Sequence, residues 1–180
     1  ERLRMNLPNK LSLLRILLVP IIIYLLLINS LTTSIAALVV FILAALTDKY
    51  DGHYARKHNL ITTLGKILDP LADKLLIIGV FTAFVEIGVL STWPLLIIVA
   101  RELAVTGLRV VAADQGSVIP ANIWGKTKTT IQMITAIVLI INPQIFNLPV
   151  ILTEGLVWLT VIITIYSGYT YFAGAEVDYS

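Results

Sequence analysis

The chain contains no cysteine. Disulfides, thiolate metal sites and cysteine nucleophiles are therefore excluded. Charge is scarce too: 13% of the 180 residues are charged, against about one quarter in an ordinary soluble domain. Histidine occurs only at His53 and His58, and both read as interfacial side chains rather than ligands. No linker, low-complexity stretch or internal repeat stands out. What fills the chain is hydrocarbon, at 58% hydrophobic residues and a mean hydropathy of +0.92. This is the composition of an integral membrane protein, read as a single domain over residues 1–180. The first apolar run is followed by another and has no small-residue cleavage site, so it is not read as a signal peptide.

A membrane span needs about 20 apolar residues, and six segments approach that length. They are Leu13–Ile28, with a kink expected at Pro20; Leu31–Thr47, continuing as helix through Arg56; Leu64–Leu90; Pro94–Ala113, with Ser91 or Thr92 as cap; Thr127–Ile141; and Pro149–Phe172. Asn142-Pro143 and Leu148-Pro149 punctuate the last link. The predicted fold is all-α, a bundle of six transmembrane helices. Basic residues alternate with that count. Arg2, Arg4, Lys10 and Arg15 precede or open the first span, and Lys49, Arg56, Lys57, Lys66 and Lys74 surround the second link. Arg109, Lys126 and Lys128 flank the fourth link, while the links near Asn29, Glu86 and Pro143 carry no lysine or arginine. The basic side is expected to be cytoplasmic. The acidic tail, with Glu176 and Asp178, adds no support.

Against this background four aspartates stand out: Asp48, Asp51, Asp69 and Asp73. A carboxylate near hydrocarbon is costly and reads as functional by default. On a helix, Asp48, Asp51, Gly52 and Ala55 share one face, and Gly65, Asp69 and Asp73 share another. Each stripe pairs acids with small residues that let a substrate or backbone approach closely. Such carboxylates suit hard divalent cations, and two cations could share them for phosphoryl chemistry. Plainer readings exist. Asp69-Pro70 has the form of an N-cap followed by proline at the first helical position. Asp48 and Asp51 could be interfacial acids paired with Lys49 and Arg56.

The pattern D-x2-D-G-x2-A-R-x8-G-x3-D-x3-D, formed by Asp48, Asp51, Gly52, Ala55, Arg56, Gly65, Asp69 and Asp73, resembles the signature of the CDP-alcohol phosphatidyltransferase family at every position and gap. The resemblance implies six transmembrane helices, with the motif on the cytoplasmic ends of the second and third. It also implies transfer of a phosphatidyl group from a CDP-linked lipid to an alcohol, with release of CMP. Carried over by position, Asp48, Asp51 and Asp69 bind metal, and Asp73 is both ligand and general base. Two divalent cations are implied, magnesium or manganese. Gly52, Ala55, Arg56 and Gly65 border the CDP-lipid, with Arg56 near the diphosphate. The segment Pro8-Asn9-Lys10-Leu11-Ser12-Leu13-Leu14-Arg15 is similar to the family's N-terminal amphipathic interfacial segment, which adds Asn9 and Arg15 to that border; it also reads simply as a positively charged helix start.

The acceptor depends on other residues. Arg101-Glu102 lies within an apolar run, where a buried pair needs partners or a polar cavity. Glu102, Thr106 and Arg109 share a stripe, so Glu102 is placed to orient Arg109 or another base. Arg101, Arg109, Lys126 and Lys128 together suit a phosphate monoester, with arginine the better bidentate partner. The lysines also fit plain cytoplasmic anchors. The A-R-E-L-A-V-T-G-L-R and G-K-x-K-T segments resemble the bacterial branch that makes phosphatidylglycerophosphate. This implies CDP-diacylglycerol and sn-glycerol 3-phosphate as substrates, membrane lipids around the protein, a homodimer, the cytoplasmic membrane as location with the active site facing the cytoplasm, and no nucleic acid. An inositol-phosphate acceptor, a cation- or proton-coupled transporter and a membrane scaffold are the competing readings. Against the transporter, the acids cluster at one end of the spans rather than at the midplane.

Overall fold

The structure, a computed structural model, describes residues 7–57, 63–117, 119, 120 and 122–175, with the backbone alone at 7, 8, 48–57, 63, 64 and 66. Arg2, Arg4, His58, Glu176 and Asp178 lie outside the described residues. The described residues form six α-helices and no strand: α1 (Leu7–Ile28), α2 (Leu31–Lys57), α3 (Thr63–Glu86), α4 (Thr92–Asp114), α5 (Ile123–Ile141) and α6 (Val150–Ala173), with a π-helical turn at Asn142–Phe146. Three stretches are long and apolar enough to cross a membrane: Asn9–Ile28, Ile123–Phe146 and Val150–Ala173. The apolar part of α2, Leu31–Thr47, is shorter. Helices α3 and α4 are interrupted by charge, from Lys66, Asp69, Asp73 and Lys74 in one and from Arg101, Glu102 and Arg109 in the other. Large apolar side chains such as Leu17, Leu43, Leu103, Val110, Ile151 and Ile162 are exposed on the helices. So much exposed apolar surface suits lipid as solvent, and the protein is a membrane protein.

Several helix ends differ from the sequence reading, each for a local reason. Helix α1 begins at Leu7, so the amphipathic segment is continuous with the first span, and the helix runs on through Pro20. Helix α3 begins at Thr63. This corrects the capping reading of Asp69-Pro70, because both residues sit inside the helix. Its far end closes early, at Glu86, where Gly88 takes φ +72°. The amides of Gly88 and Val89 bond the carbonyls of Val85 and Phe84 at 3.1 and 2.9 Å, a glycine-capped Schellman ending. Gly116 ends α4 in the same way, with Ser117 donating to Ala112. Ser91 holds the N-cap position of α4 without a side-chain capping bond. Helix α5 starts four residues earlier than expected because Asn122 caps it, its Oδ1 accepting the Gly125 N–H at 2.7 Å.

The chain divides into two compact units, Glu1–Val89 with Ile140–Asn147, and Leu90–Leu139 with Leu148–Ser180. In the first, α1 packs on both α2 and α3. Its buried stripe is Asn9, Ser12, Arg15, Val19, Ile22 and Leu26, polar for two turns and then apolar. Helix α2 buries Ser34, Ala37, Phe41 and Ala44, and α3 buries Ala72, Leu76, Val80 and Ala83. Small residues in these stripes let helices approach closely where lipid supplies no hydrophobic drive. A close crossing lies at Gly79, where an added Cβ would lie 2.5 Å from Val19 Cγ1 and 3.3 Å from Ile23 Cδ1. Gly79→Leu is expected to cost at least about 1–3 kcal/mol by overpacking. Thermal unfolding in detergent measures this, and an unchanged midpoint would show that the crossing has slack. In the second unit, α4 packs along α6, and α5 meets α6 through polar pairs. Thr135 and Thr160 share a hydrogen bond at 2.7 Å, and Gln132 Nε2 donates to Thr164 Oγ1 at 3.3 Å.

Candidate active site

Helix α1 buries polar residues at its start, Asn9, Ser12 and Arg15, and α3 carries Asp69 and Asp73 in its first half, while the sequence of α2 has Asp48 and Asp51 toward its finish. Bonds from α1 reach both neighbours. Ser12 Oγ of α1 donates to Asp69 Oδ1 of α3 at 2.5 Å. Arg15 Nε of α1 donates to the Ala44 carbonyl of α2 at 3.1 Å, and Thr47 Oγ1 donates to the same carbonyl at 2.7 Å. Asn9, Ser12 and Arg15 are each at most 1% exposed, so they form the packed interior of this end. The Arg15 guanidinium, read from sequence as bordering the CDP-lipid, is buried and bonds the α2 backbone one turn before Asp48.

Asp69 and Asp73 are half-buried on successive turns of α3, one turn beyond the buried Gly65. Helical backbone carries the α2 stripe of Ala37, Phe41 and Ala44 on to positions 48, 51 and 55 by the same three- and four-residue steps. The side chains of Asp48, Asp51, His53, Ala55 and Arg56, and the surroundings of Gly52, lie outside the described residues. Among the described residues no cluster of three acids or histidines is assembled. The donors that are described fit a hard cation: carboxylate oxygens one turn apart, with one Asp69 oxygen held by a hydroxyl. At about 1.5 Å per residue the 27 residues of α2 span about 40 Å, beyond a hydrocarbon core of about 30 Å. The last turns of α2, where the acids lie, thus have length to stand outside hydrocarbon.

The second unit gathers three of the four predicted basic residues. Glu102 Oε1 accepts from Arg101 Nη1 at 3.1 Å and from Lys128 Nζ at 2.5 Å. Arg101 Nη2 donates to Ser167 Oγ at 2.7 Å. Arg109 Nη2 donates to the Tyr171 hydroxyl at 3.0 Å. The Tyr171 ring lies beneath both guanidiniums, 5.3 Å from Arg101 Cζ and 5.0 Å from Arg109 Cζ. Glu102 therefore orients Arg101 and Lys128, bases other than Arg109 as the sequence reading allowed, whereas Arg109 is held by a phenol. Lys126 is exposed and stands apart from this group. Lys128, a surface anchor on one sequence reading, is 6% exposed.

The CDP-alcohol phosphatidyltransferase family model matches residues 5–166. The chain belongs to that family. Among its relatives in the CDP-alcohol phosphatidyltransferase family are three proteins named CDP-diacylglycerol–glycerol-3-phosphate 3-phosphatidyltransferase. That of Bacillus subtilis (strain 168) is 40% identical over 181 residues, covering 93% of this chain and 94% of its own. That of Rickettsia bellii (strain RML369-C) is 38% identical, covering 95% and 96%. That of Rickettsia prowazekii (strain Madrid E) is 40% identical, covering 97% and 98%. As a CDP-alcohol phosphatidyltransferase the protein is a membrane-embedded transferase of phospholipid biosynthesis.

Three residues in this phosphatidyltransferase escaped sequence reasoning: Asn122, Ser167 and Tyr171. The signal was faint. Thr160, Thr164, Ser167 and Tyr171 follow helical steps of three and four along a mostly apolar α6, and all four are buried. Hydroxyls in that rhythm mark a polar seam, but they do not say which charges it meets.

Proposed function

We propose that the protein transfers the phosphatidyl group of CDP-diacylglycerol to sn-glycerol 3-phosphate, giving phosphatidylglycerophosphate and CMP, with residues 1–180 working as one domain. The observation that carries this reading is the near-full-length similarity to relatives bearing that reaction in their names. The fixed spacing of the four aspartates supports it. In this reading Asp48, Asp51, Asp69 and Asp73 hold two divalent cations, magnesium or manganese. Bound there, they neutralise the diphosphate and ease the departure of CMP. Ser12 sets the orientation of the Asp69 carboxylate. The acceptor hydroxyl oxygen bonds to the phosphorus bearing diacylglycerol, the bond from that phosphorus to the CMP oxygen breaks, and Asp73 takes the hydroxyl proton. Asn9, Arg15, Gly52, Ala55, Arg56 and Gly65 border the CDP-lipid, with Arg15 serving from inside the α1–α2 packing. Arg101, Arg109, Lys126 and Lys128 serve the acceptor phosphate. Arg101, Arg109 and Lys128 are held in position by Glu102, Ser167 and the Tyr171 hydroxyl, and Lys126 supplies charge from the surface.

The basic residues that flank alternate links support six spans, placement in the cytoplasmic membrane and an active site facing the cytoplasm. The family resemblance supports a homodimer. Purified protein given CDP-diacylglycerol, magnesium or manganese, and one acceptor at a time is expected to release CMP with glycerol 3-phosphate. No CMP with any acceptor would end the enzyme reading. Release with inositol phosphate alone would reassign the acceptor.

A further inference from the structure

Tyr171 gathers Arg101, Arg109 and the start of α5, yet the family match ends at residue 166. It is 4% exposed, and its ring packs with Val105, Leu108 and Ala112 of α4. Its hydroxyl receives two donors, Arg109 Nη2 at 3.0 Å and the Asn122 backbone N–H at 3.2 Å. Both bonds use the oxygen's lone pairs, so the phenol's own proton is not consumed by either. Among the described residues that proton has no acceptor.

The charges beside it are unbalanced in the same sense. Glu102 faces Arg101 and Lys128, whereas among the described residues no carboxylate pairs with Arg109. One of Arg109's five N–H groups is engaged by the phenol, and the others remain for a ligand. Arg101 adds a buried Nε–H with no partner among the described residues. Asn122 closes the third side. It caps α5 through Gly125 and bonds Thr170 Oγ1 at 3.0 Å, so the start of α5 is fixed against α6. Clearance for this arrangement comes from Gly125. A Cβ there would sit 2.6 Å from the Tyr171 hydroxyl.

We propose that Tyr171 is a positioning and specificity-determining residue for the acceptor's phosphate: its hydroxyl fixes Arg109 beside the start of α5 and offers its own proton to a phosphate oxygen, and Gly125 is the space that this requires. The proposal rests on the acceptor reading given above. Excess positive charge with an unspent O–H suits a dianionic monoester better than a neutral hydroxyl compound.

Tyr171→Phe keeps the ring and removes the hydroxyl. It is expected to raise KM for glycerol 3-phosphate by roughly tenfold or more, to leave KM for CDP-diacylglycerol unchanged and to alter kcat little. Gly125→Ala, which displaces the hydroxyl, is expected to do the same, and the double variant to be no worse than either single one. Calorimetric titration with glycerol 3-phosphate and with inorganic phosphate should show the matching loss of affinity without turnover. If the wild type binds phosphate but releases no CMP, the enzyme reading falls and the anion site stands. If the wild type binds neither anion, or if both variants keep wild-type KM and affinity, Tyr171 is a packing residue and the proposal is overturned. Should Tyr171→Phe fail to fold, Gly125→Ala alone decides.

Discussion

Asp73→Asn is expected to leave a folded protein whose CMP release has dropped by about 10²–10⁴-fold, the usual worth of a positioned general base. The substitution is nearly isosteric, and Asp73 is half-buried on the polar end of α3, so packing should survive. Two losses coincide in it, a proton acceptor and a negative donor to cations. They can be separated. If cation affinity is the main loss, raising magnesium or manganese restores much of the rate; if the base is the main loss, saturation with cation restores little. Asp69→Asn is the control, because the Ser12 hydroxyl bond to Asp69 at 2.5 Å marks that carboxylate as a held ligand. It should respond to added cation more than Asp73→Asn does. Near-normal turnover in Asp73→Asn at saturating substrate would move the base to another residue.

Glu102→Ala should be the most destabilising single change in the second unit, at about 3–5 kcal/mol. The Glu102 side chain is 11% exposed, and its carboxylate is shared by Arg101 and Lys128, whose side chains are 10% and 8% exposed. Removing it takes from two buried cations the carboxylate that they share. Lys128→Met placed on top of Glu102→Ala removes one of the stranded charges and should recover part of the loss. That recovery distinguishes charge from mere cavity formation, which a second large-to-small change would not relieve. Unfolding in detergent measures both variants. A shift of less than about 1 kcal/mol for Glu102→Ala would mean that water reaches the triad and screens it.

Much of this was legible in the residues because membrane proteins spend charge sparingly. The aspartates at 48, 51, 69 and 73, and the Arg101-Glu102 pair, were conspicuous against hydrocarbon. Small residues at Gly52, Ala55 and Gly65 marked the faces on which the acids fall. Helix ends were read less well where punctuation was ambiguous. The start of α3 at Thr63 lies one residue from the Leu64 expected, although Asp69-Pro70 inside it also has the form of a cap, and Gly125 falls inside α5 because Asn122 is its cap. Partner choice was hardest. Glu102 and Arg109 share a face of α4, but Arg109 takes its partner from α6, and no periodicity along one helix can report a contact supplied by another. Tyr171 was invisible for the complementary reason: aromatic residues in an apolar helix are ordinary, and its role comes from what α4 and the start of α5 bring to it.

The Thr135–Thr160 and Gln132–Thr164 bonds bear on that role at a distance. Apolar faces in lipid are nearly interchangeable, and a helix can spin among them at little cost. Each residue of rotation turns an α-helix by about 100°. Two polar rungs at separate heights favour one angular setting of α6 against α5, since turning away breaks both bonds. They act as a key in a lock barrel. The aromatic side chain two turns farther along arrives at the start of α5 already aimed, so its alignment depends on groups that never meet a substrate.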